Sequence, residues 1–93
     1  MYLLKDINDL YDQFSNNVAA PGNLDKKTKE LIAVACSVLA DCAPCLEWHY
    51  GQAVTAGANQ DEISEALAIA MSVAAGSKRA KYSPVVEKLE HGD

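Results

Sequence analysis

Apolar residues recur every three or four positions near the start of the chain, which is the spacing of an amphipathic helix. The spacing predicts a helix over Lys5 to Val18 that packs through one side only. Pro21 and Gly22 follow it and indicate a helix end, because neither residue continues a helix comfortably. The repeating apolar positions of this helix are Ile7, Leu10, Tyr11 and Phe14.

The next segment is almost continuously apolar and predicts a second helix that is buried on most sides. Asp25 is a suitable N-cap for this helix. Glu30 is the exception to its apolar character. A buried carboxylate without a partner is costly, so we expect Glu30 to be paired. Its partner is either a nearby lysine, Lys26 or Lys27, or a group on the following helix.

Proline and glycine mark the limits of a third helix. Pro44 is tolerated only in the first turn of a helix, so this helix is predicted to begin near Cys42. It runs to about Ala56, and Gly57 is a typical C-terminal stop. Both residues of the pair Cys42 and Cys45 therefore lie in its first turn.

Asn59 and Glu62 have the spacing of a capping box and predict the start of a fourth helix, which we expect to end at Gly76. A final helix is predicted over Ser77 to Leu89, interrupted near Pro84. No stretch alternates as a strand would. The sequence therefore predicts an all-α fold, in which residues 1–93 form a single-domain bundle of about five helices.

The composition indicates a core of small side chains. Hydrophobic residues make up 49% of the chain and aromatic residues only 6%. Small side chains remove less apolar area from water per residue, and the hydrophobic gain scales with that area. A chain of 93 residues is also near the size at which folds depend on partners. We therefore expect oligomerisation to complete the core.

Charge and apolar patterning argue against several classes of partner. The net charge of -5 argues against nucleic acid, which attracts clusters of lysine and arginine. The longest apolar run, Leu31 to Ala40, is far shorter than the ~20 residues of a membrane span. Lys5 and Asp6 follow too early for a signal peptide. Three cysteines do not form a secreted disulfide framework, so we expect a cytoplasmic protein without a cofactor.

The segment from Glu30 to His49 contains the candidate chemistry. Cys42 and Cys45 are three positions apart and can close a small disulfide loop. A helix N-terminus lowers the pKa of a cysteine, which favours the reactive thiolate. His49 lies one turn after Cys45 and can take its proton. Glu30 is the natural third member of this group, within reach of His49 through one water molecule.

A metal site is the alternative interpretation of the same residues. Cys42, Cys45 and His49 are possible zinc ligands. A closed zinc site needs a fourth ligand, and Cys36 lies on a different face of its helix, about 120° from Glu30. Haem attachment needs a histidine directly after the second cysteine, where this chain has Leu46. The alternative is thus a non-catalytic helical assembly module with a structural metal.

The string from Leu24 to about Gly76, with its E…CxxCxxxH signature, resembles the carboxymuconolactone decarboxylase superfamily and its alkylhydroperoxidase D-like branch. The resemblance implies an all-helical fold, assembly into a homotrimer or homohexamer, and a redox-active CxxC. It also implies that Glu30, Cys42, Cys45 and His49 form a proton relay. The lactone decarboxylases that name the superfamily generally lack the CxxC, which makes that substrate a poor match.

One departure from the branch bears on activity. Alkylhydroperoxidase D carries a histidine between its cysteines, where this chain has Ala43 and Pro44. Cys-Ala-Pro-Cys is instead similar to the thioredoxin active-site pattern. We therefore expect a thiol–disulfide oxidoreductase with weak peroxidase activity, acting on a peroxide or disulfide and reopened by an external thiol reductant. The helix N-terminus favours Cys42 as the attacking sulfur and the histidine favours Cys45, to which we give preference.

Overall fold

The computed structural model describes residues 4–92, which form four α-helices and contain no strand. The all-α prediction is confirmed. No helix in this part of the chain is both long enough and apolar enough to cross a lipid bilayer. The helices are α1 (Lys5–Ala19), α2 (Lys26–Leu39), α3 (Ala43–Thr55) and α4 (Gln60–His91).

Side-chain caps fix the starts of three helices. The Asp25 carboxylate accepts a hydrogen bond from the Thr28 amide at 2.7 Å and begins α2. At the start of α3 the Cys42 sulfur is the cap and accepts a hydrogen bond from the Cys45 amide. At α4 the predicted capping box is present: Asn59 Oδ1 accepts from the Glu62 amide, and Glu62 Oε1 accepts from the Asn59 amide. These local bonds satisfy amides that the helices leave without an internal partner.

The predicted end of a helix at Gly76 is wrong, and so is the count of about five helices. α4 continues through Gly76 and Pro84 to His91. A glycine stops a helix by adopting positive φ, as Gly57 does after α3 at 99°, whereas Gly76 does not. Pro84 removes one backbone hydrogen bond. Lysine, arginine, alanine and leucine around it favour helix and allow α4 to continue.

The core lies where α2 packs against α3 and the first half of α4. Its centre is Val34, which is fully buried, and partly buried leucines surround it. Two of the four clustered core residues are alanines, as the composition predicted. The cluster consists of Val34, Ala53, Ala58 and Ile63, packed against Leu31, Leu46 and Leu67.

Two parts of the chain extend beyond this core. α1 buries none of its residues, and every residue from 71 to 92 is exposed. The radius of gyration is 17.9 Å, against roughly 12 Å for a compact domain of this length. The core therefore accounts for only the middle of the chain.

We predict opposite effects of alanine at two glycines. Gly76→Ala should stabilise the protein by up to ~1 kcal/mol, because alanine favours helix and the added methyl meets no atom within 4 Å. Gly57→Ala should cost about 1–2 kcal/mol, because φ there is positive. Urea unfolding at one protein concentration measures both. Destabilisation by Gly76→Ala would contradict the continuous α4.

Candidate active site

A tight turn between α2 and α3 builds the site. Asp41 takes a left-handed conformation with φ of 55°. The Asp41 amide donates to the Val38 carbonyl, and the Cys42 amide donates to the Ser37 carbonyl. The chain reverses here, so a residue in the first half of α2 meets one in the middle of α3. The turn at Asp41 is therefore the element that brings the site together.

Cys42 and Cys45 form a disulfide, with their Cα atoms 5.2 Å apart. Cys42 is half-buried and Cys45 is exposed. The Cys45 amide donates to the Cys42 sulfur at 3.2 Å, so this sulfur receives one of the free amides at the start of α3. Such an amide stabilises negative charge on sulfur. The two cysteines therefore differ: Cys45 is the more exposed residue, and the Cys42 sulfur is placed to hold charge.

Glu30 and His49 form the second pair of the site. The Glu30 side chain is only 3% exposed, and its Oε2 lies 2.7 Å from His49 Nδ1. The contact is direct, whereas the sequence predicted a water molecule between them. An ionised carboxylate can only accept hydrogen bonds, so Nδ1 carries the proton in this pair. The other ring nitrogen, Nε2, is then left as the basic atom of His49.

The remaining oxygen of Glu30 is also occupied. Lys26 Nζ lies 3.0 Å from Glu30 Oε1. The two alternatives raised for Glu30, a nearby lysine and a group on the next helix, are therefore both present. Burial alone would raise the pKa of Glu30. The hydrogen bonds from His49 and Lys26, with the charge of Lys26, outweigh burial and leave the pKa of this carboxyl below its ordinary value.

The Cys42–Cys45 pair and the Glu30–His49 pair lie near each other because Cys45 and His49 are both on α3. Among residues 4–92, no hydrogen bond joins the two pairs. His49 lies one helical turn after Cys45. Cys36 is free and exposed and takes no part in the disulfide. In the described part of the chain, no three histidine, cysteine, aspartate or glutamate side chains converge as metal ligands. The disulfide occupies both sulfurs and Glu30 occupies Nδ1, so the donors of the metal alternative are already engaged.

An open groove of about 450 Å³ lies beside the Glu30–His49 pair. Sequence reasoning did not predict it, because it forms between α1 and α2, two helices with separate apolar patterns. Its walls are mainly apolar. Two charged residues, Lys29 and Glu30, also line it. The groove gives His49 an approach from solvent. Other lining residues are Ser15, Val18, Leu24, Ile32 and Cys36.

Fold and site together define a small all-helical protein with an intrachain CxxC disulfide. The sequence pattern of the carboxymuconolactone decarboxylase family matches residues 5–88. The chain belongs to this family.

Several known proteins are similar to this chain. The uncharacterized protein 4 in the cox locus of Paracoccus denitrificans is 37% identical over 87 residues, which cover 94% of this chain and 78% of that protein. A crystal structure of a protein from Methanobacterium thermoautotrophicum superposes with a TM-score of 0.82 at 34% identity, covering 88% of this chain and 92% of its own.

A structure from Thermotoga maritima is similar over a larger share of the chain. It is a carboxymuconolactone decarboxylase family protein with a suggested involvement in antioxidative response. Its TM-score is 0.70 at 26% identity, with 98% of this chain and 100% of that chain covered.

The pairing of Glu30 predicts a pH-dependent contribution to stability. The pKa of Glu30 is lower in the folded than in the unfolded protein, so its contribution is complete above the unfolded pKa, near 4.3. It is lost as pH falls through the folded pKa. Glu30→Gln should cost about 1–3 kcal/mol at pH 7. The difference between the two proteins should shrink below about pH 4, as measured by urea unfolding at a series of pH values. A constant difference would contradict the paired, ionised Glu30.

Proposed function

We propose that this protein is a thiol–disulfide oxidoreductase of the alkylhydroperoxidase D-like type, with weak activity toward peroxides. The observation that carries the proposal is the Cys42–Cys45 disulfide, one helical turn from the buried Glu30–His49 pair. A disulfide at a helix start supplies the redox centre, and an imidazole with one nitrogen held by a carboxylate supplies a base. Membership of the family supports the same conclusion.

In the peroxidase reaction the reduced protein provides both electrons. His49 Nε2 takes the proton of Cys45, whose thiolate attacks a peroxide oxygen. The O–O bond breaks, the alcohol leaves with a proton, and Cys45 becomes a sulfenic acid. Cys42 then attacks the Cys45 sulfur, releasing water and forming the disulfide. With a disulfide substrate, Cys45 forms a mixed disulfide that Cys42 resolves, and the substrate leaves as two thiols.

The reverse half of the cycle needs an external thiol reductant. Its thiolate attacks the sulfur of Cys45, the more exposed of the two cysteines, and Cys42 leaves as a thiolate. The Cys45 amide, which donates to the Cys42 sulfur, stabilises this leaving group. A second thiol of the reductant resolves the mixed disulfide and returns both cysteines to the reduced state. The exposure of Cys45 supports it as the attacking sulfur, and the amide on Cys42 supports Cys42 as the leaving group when the disulfide is reopened.

Ala43 and Pro44 between the cysteines affect the balance of the two activities. They place no acid or base between the sulfurs, so His49 is the base available for proton transfer. We expect exchange with disulfides to be faster than turnover of peroxides. The need for an external thiol reductant favours the reducing cytoplasm as the working compartment.

Mass spectrometry with thiol alkylation tests the proposal. On mild peroxide treatment of the reduced protein, we expect the loss of two hydrogens and protection of Cys42 and Cys45 from alkylation. Cys36 should remain alkylated. Cys42→Ser and Cys45→Ser should each abolish turnover with an external reductant, because each removes one partner of the disulfide.

Cys36→Ser is the matched control, since it removes the free cysteine on α2, which takes no part in the disulfide. It should leave turnover unchanged. Full activity of the Cys42→Ser, Cys45→Ser double variant would overturn the proposed chemistry. Oxidation that falls on Cys36 instead of the pair would do the same.

We also propose that the protein acts as a homo-oligomer, a trimer or hexamer, with residues 1–93 as one domain in each copy. Two exposed apolar stripes support this proposal, one on α1 and one in the second half of α4. On α1, Leu10 is 63% and Phe14 66% exposed, and on α4, Leu89 is 77% exposed. Helices in proteins gain most of their stability from packing an apolar face. Each copy carries both stripes, so the α1 stripe of one copy can cover the α4 stripe of the next. Contacts of this kind can close into a ring.

Light scattering after gel filtration should give three or six times the 10.0 kDa of one chain. Phe14→Asp and Leu89→Asp should each shift the protein toward the monomer, because they place a charge in an apolar stripe. Asn16→Asp, on the opposite side of α1, is the matched control and should not change the mass. A monomeric native protein would contradict the proposed assembly.

A further inference from the structure

The ammonium group of Lys26 joins the end of α1 to the centre of the site. Its Nζ lies 3.0 Å from Glu30 Oε1 and donates to the carbonyl oxygen of Ala19 at 3.2 Å. Ala19 is the last residue of α1, where free carbonyls carry partial negative charge. The Lys26 side chain is 36% exposed, against 3% for Glu30. The buried carboxylate of Glu30 is thus paired with the charge of Lys26, whose side chain is partly exposed to solvent.

The two oxygens of Glu30 have different partners. Oε1 faces Lys26 on the same helix, and Oε2 faces His49 on α3. Because the carboxylate is nearly inaccessible to water, loss of either partner would leave a buried oxygen without its hydrogen bond. Lys26 therefore does more than add charge. By holding Oε1, it fixes the rotation of the carboxylate and directs Oε2 at the imidazole.

The other lysines of α2 have other partners. Lys29 lines the groove beside Glu30, but its Nζ donates to the carbonyls of Val18 and Ala20. Lys27 bonds to Glu62 at 2.7 Å, where α2 meets α4. The charged and titratable groups in contact with Glu30 are thus Lys26 from α2 and His49 from α3. α1 contributes the carbonyl that holds Lys26.

We propose that Lys26 is a positioning residue of the relay, which keeps Glu30 ionised and oriented so that His49 holds its proton on Nδ1 and keeps Nε2 free for Cys45. This inference rests on the proposed function for its catalytic consequence, although the effect on Glu30 is independent of it. Lys26 makes no hydrogen bond to either sulfur; its ammonium group contacts Glu30 and the Ala19 carbonyl. It acts only through the carboxylate.

The first test measures Glu30 directly. A carbon-13 NMR titration of the Glu30 side-chain carboxyl should give a higher pKa in Lys26→Met and in Lys26→Gln than in the native protein. Glutamine keeps the reach and a hydrogen-bond donor but lacks the charge. Lys26→Arg should restore the native titration. Lys27→Met is the matched control, because it removes the neighbouring lysine without touching Glu30.

The second test is the pH dependence of oxidation. Stopped-flow fluorescence of Trp48, the only tryptophan, can follow single-turnover formation of the disulfide. In Lys26→Met the acid limb of the rate should move to higher pH, because Glu30 becomes protonated sooner. On the acid limb, where Glu30 becomes protonated, the rate should fall by up to about fivefold, as expected for loss of a partly exposed ion pair. At pH 8 it should change little, and Lys26→Arg should again restore the native profile.

Lys29→Met distinguishes two effects of a lysine on α2: its charge acting on Glu30, and its hydrogen bonds holding the end of α1. It removes two bonds to the end of α1 but none to Glu30. We expect its Glu30 titration and pH profile to match the native protein. The same shift in Lys29→Met as in Lys26→Met would overturn the proposal and assign both lysines to holding α1. An unchanged Glu30 titration in Lys26→Met and Lys26→Gln would also overturn it.

These outcomes are distinct from failure of the proposed function. If the Cys42→Ser, Cys45→Ser variant stays active while Glu30 still titrates at higher pH without Lys26, then the redox chemistry is wrong and the role of Lys26 toward Glu30 stands. If the cysteines are essential and the Glu30 titration does not respond to Lys26, the redox chemistry stands and this inference falls.

Discussion

The buried carboxylate of Glu30 is the constraint on which the rest of the structure depends. An ionised group that is nearly inaccessible to water must be surrounded by partners. Here those partners come from two sides, a lysine one turn earlier and a histidine on the next helix. The need to bring His49 to Glu30 fixes how α2 and α3 pack. The turn at Asp41 makes that packing possible and sets the cysteines at the start of α3.

The core and the site share the same pair of helices, but they use different residues of them. Val34 and Ala53 pack in the core, while Glu30 and His49 meet beside it. Small core residues allow α2 and α3 to approach closely enough for a 2.7 Å contact between the carboxylate and the imidazole. The outer parts of the molecule, α1 and the second half of α4, contribute little to this core. They offer apolar surface that a single copy leaves exposed.

Much of the fold could be predicted from local rules. Asp25, Asn59 and Gly57 act at short range, and each ends or begins a helix where the sequence indicated. The burial and pairing of Glu30 could also be predicted, since one acid in an apolar helix must find partners. The direct contact with His49 could not, because helix separation depends on how the core residues interlock. Gly76 and Pro84 led to the wrong prediction that α4 ends early, because both residues weaken a helix without always ending it.

Cys42 is both one half of the disulfide and the residue that caps α3. Serine, threonine, aspartate and asparagine are the side chains that stabilise a helix best from this position, and cysteine is not among them. The chain therefore gives up helix stability at the point where the proposed chemistry takes place. The same amide that would bond a serine oxygen is kept for a sulfur whose charge would change during the proposed cycle. Function and stability thus compete for a single hydrogen-bond donor at the first turn of α3.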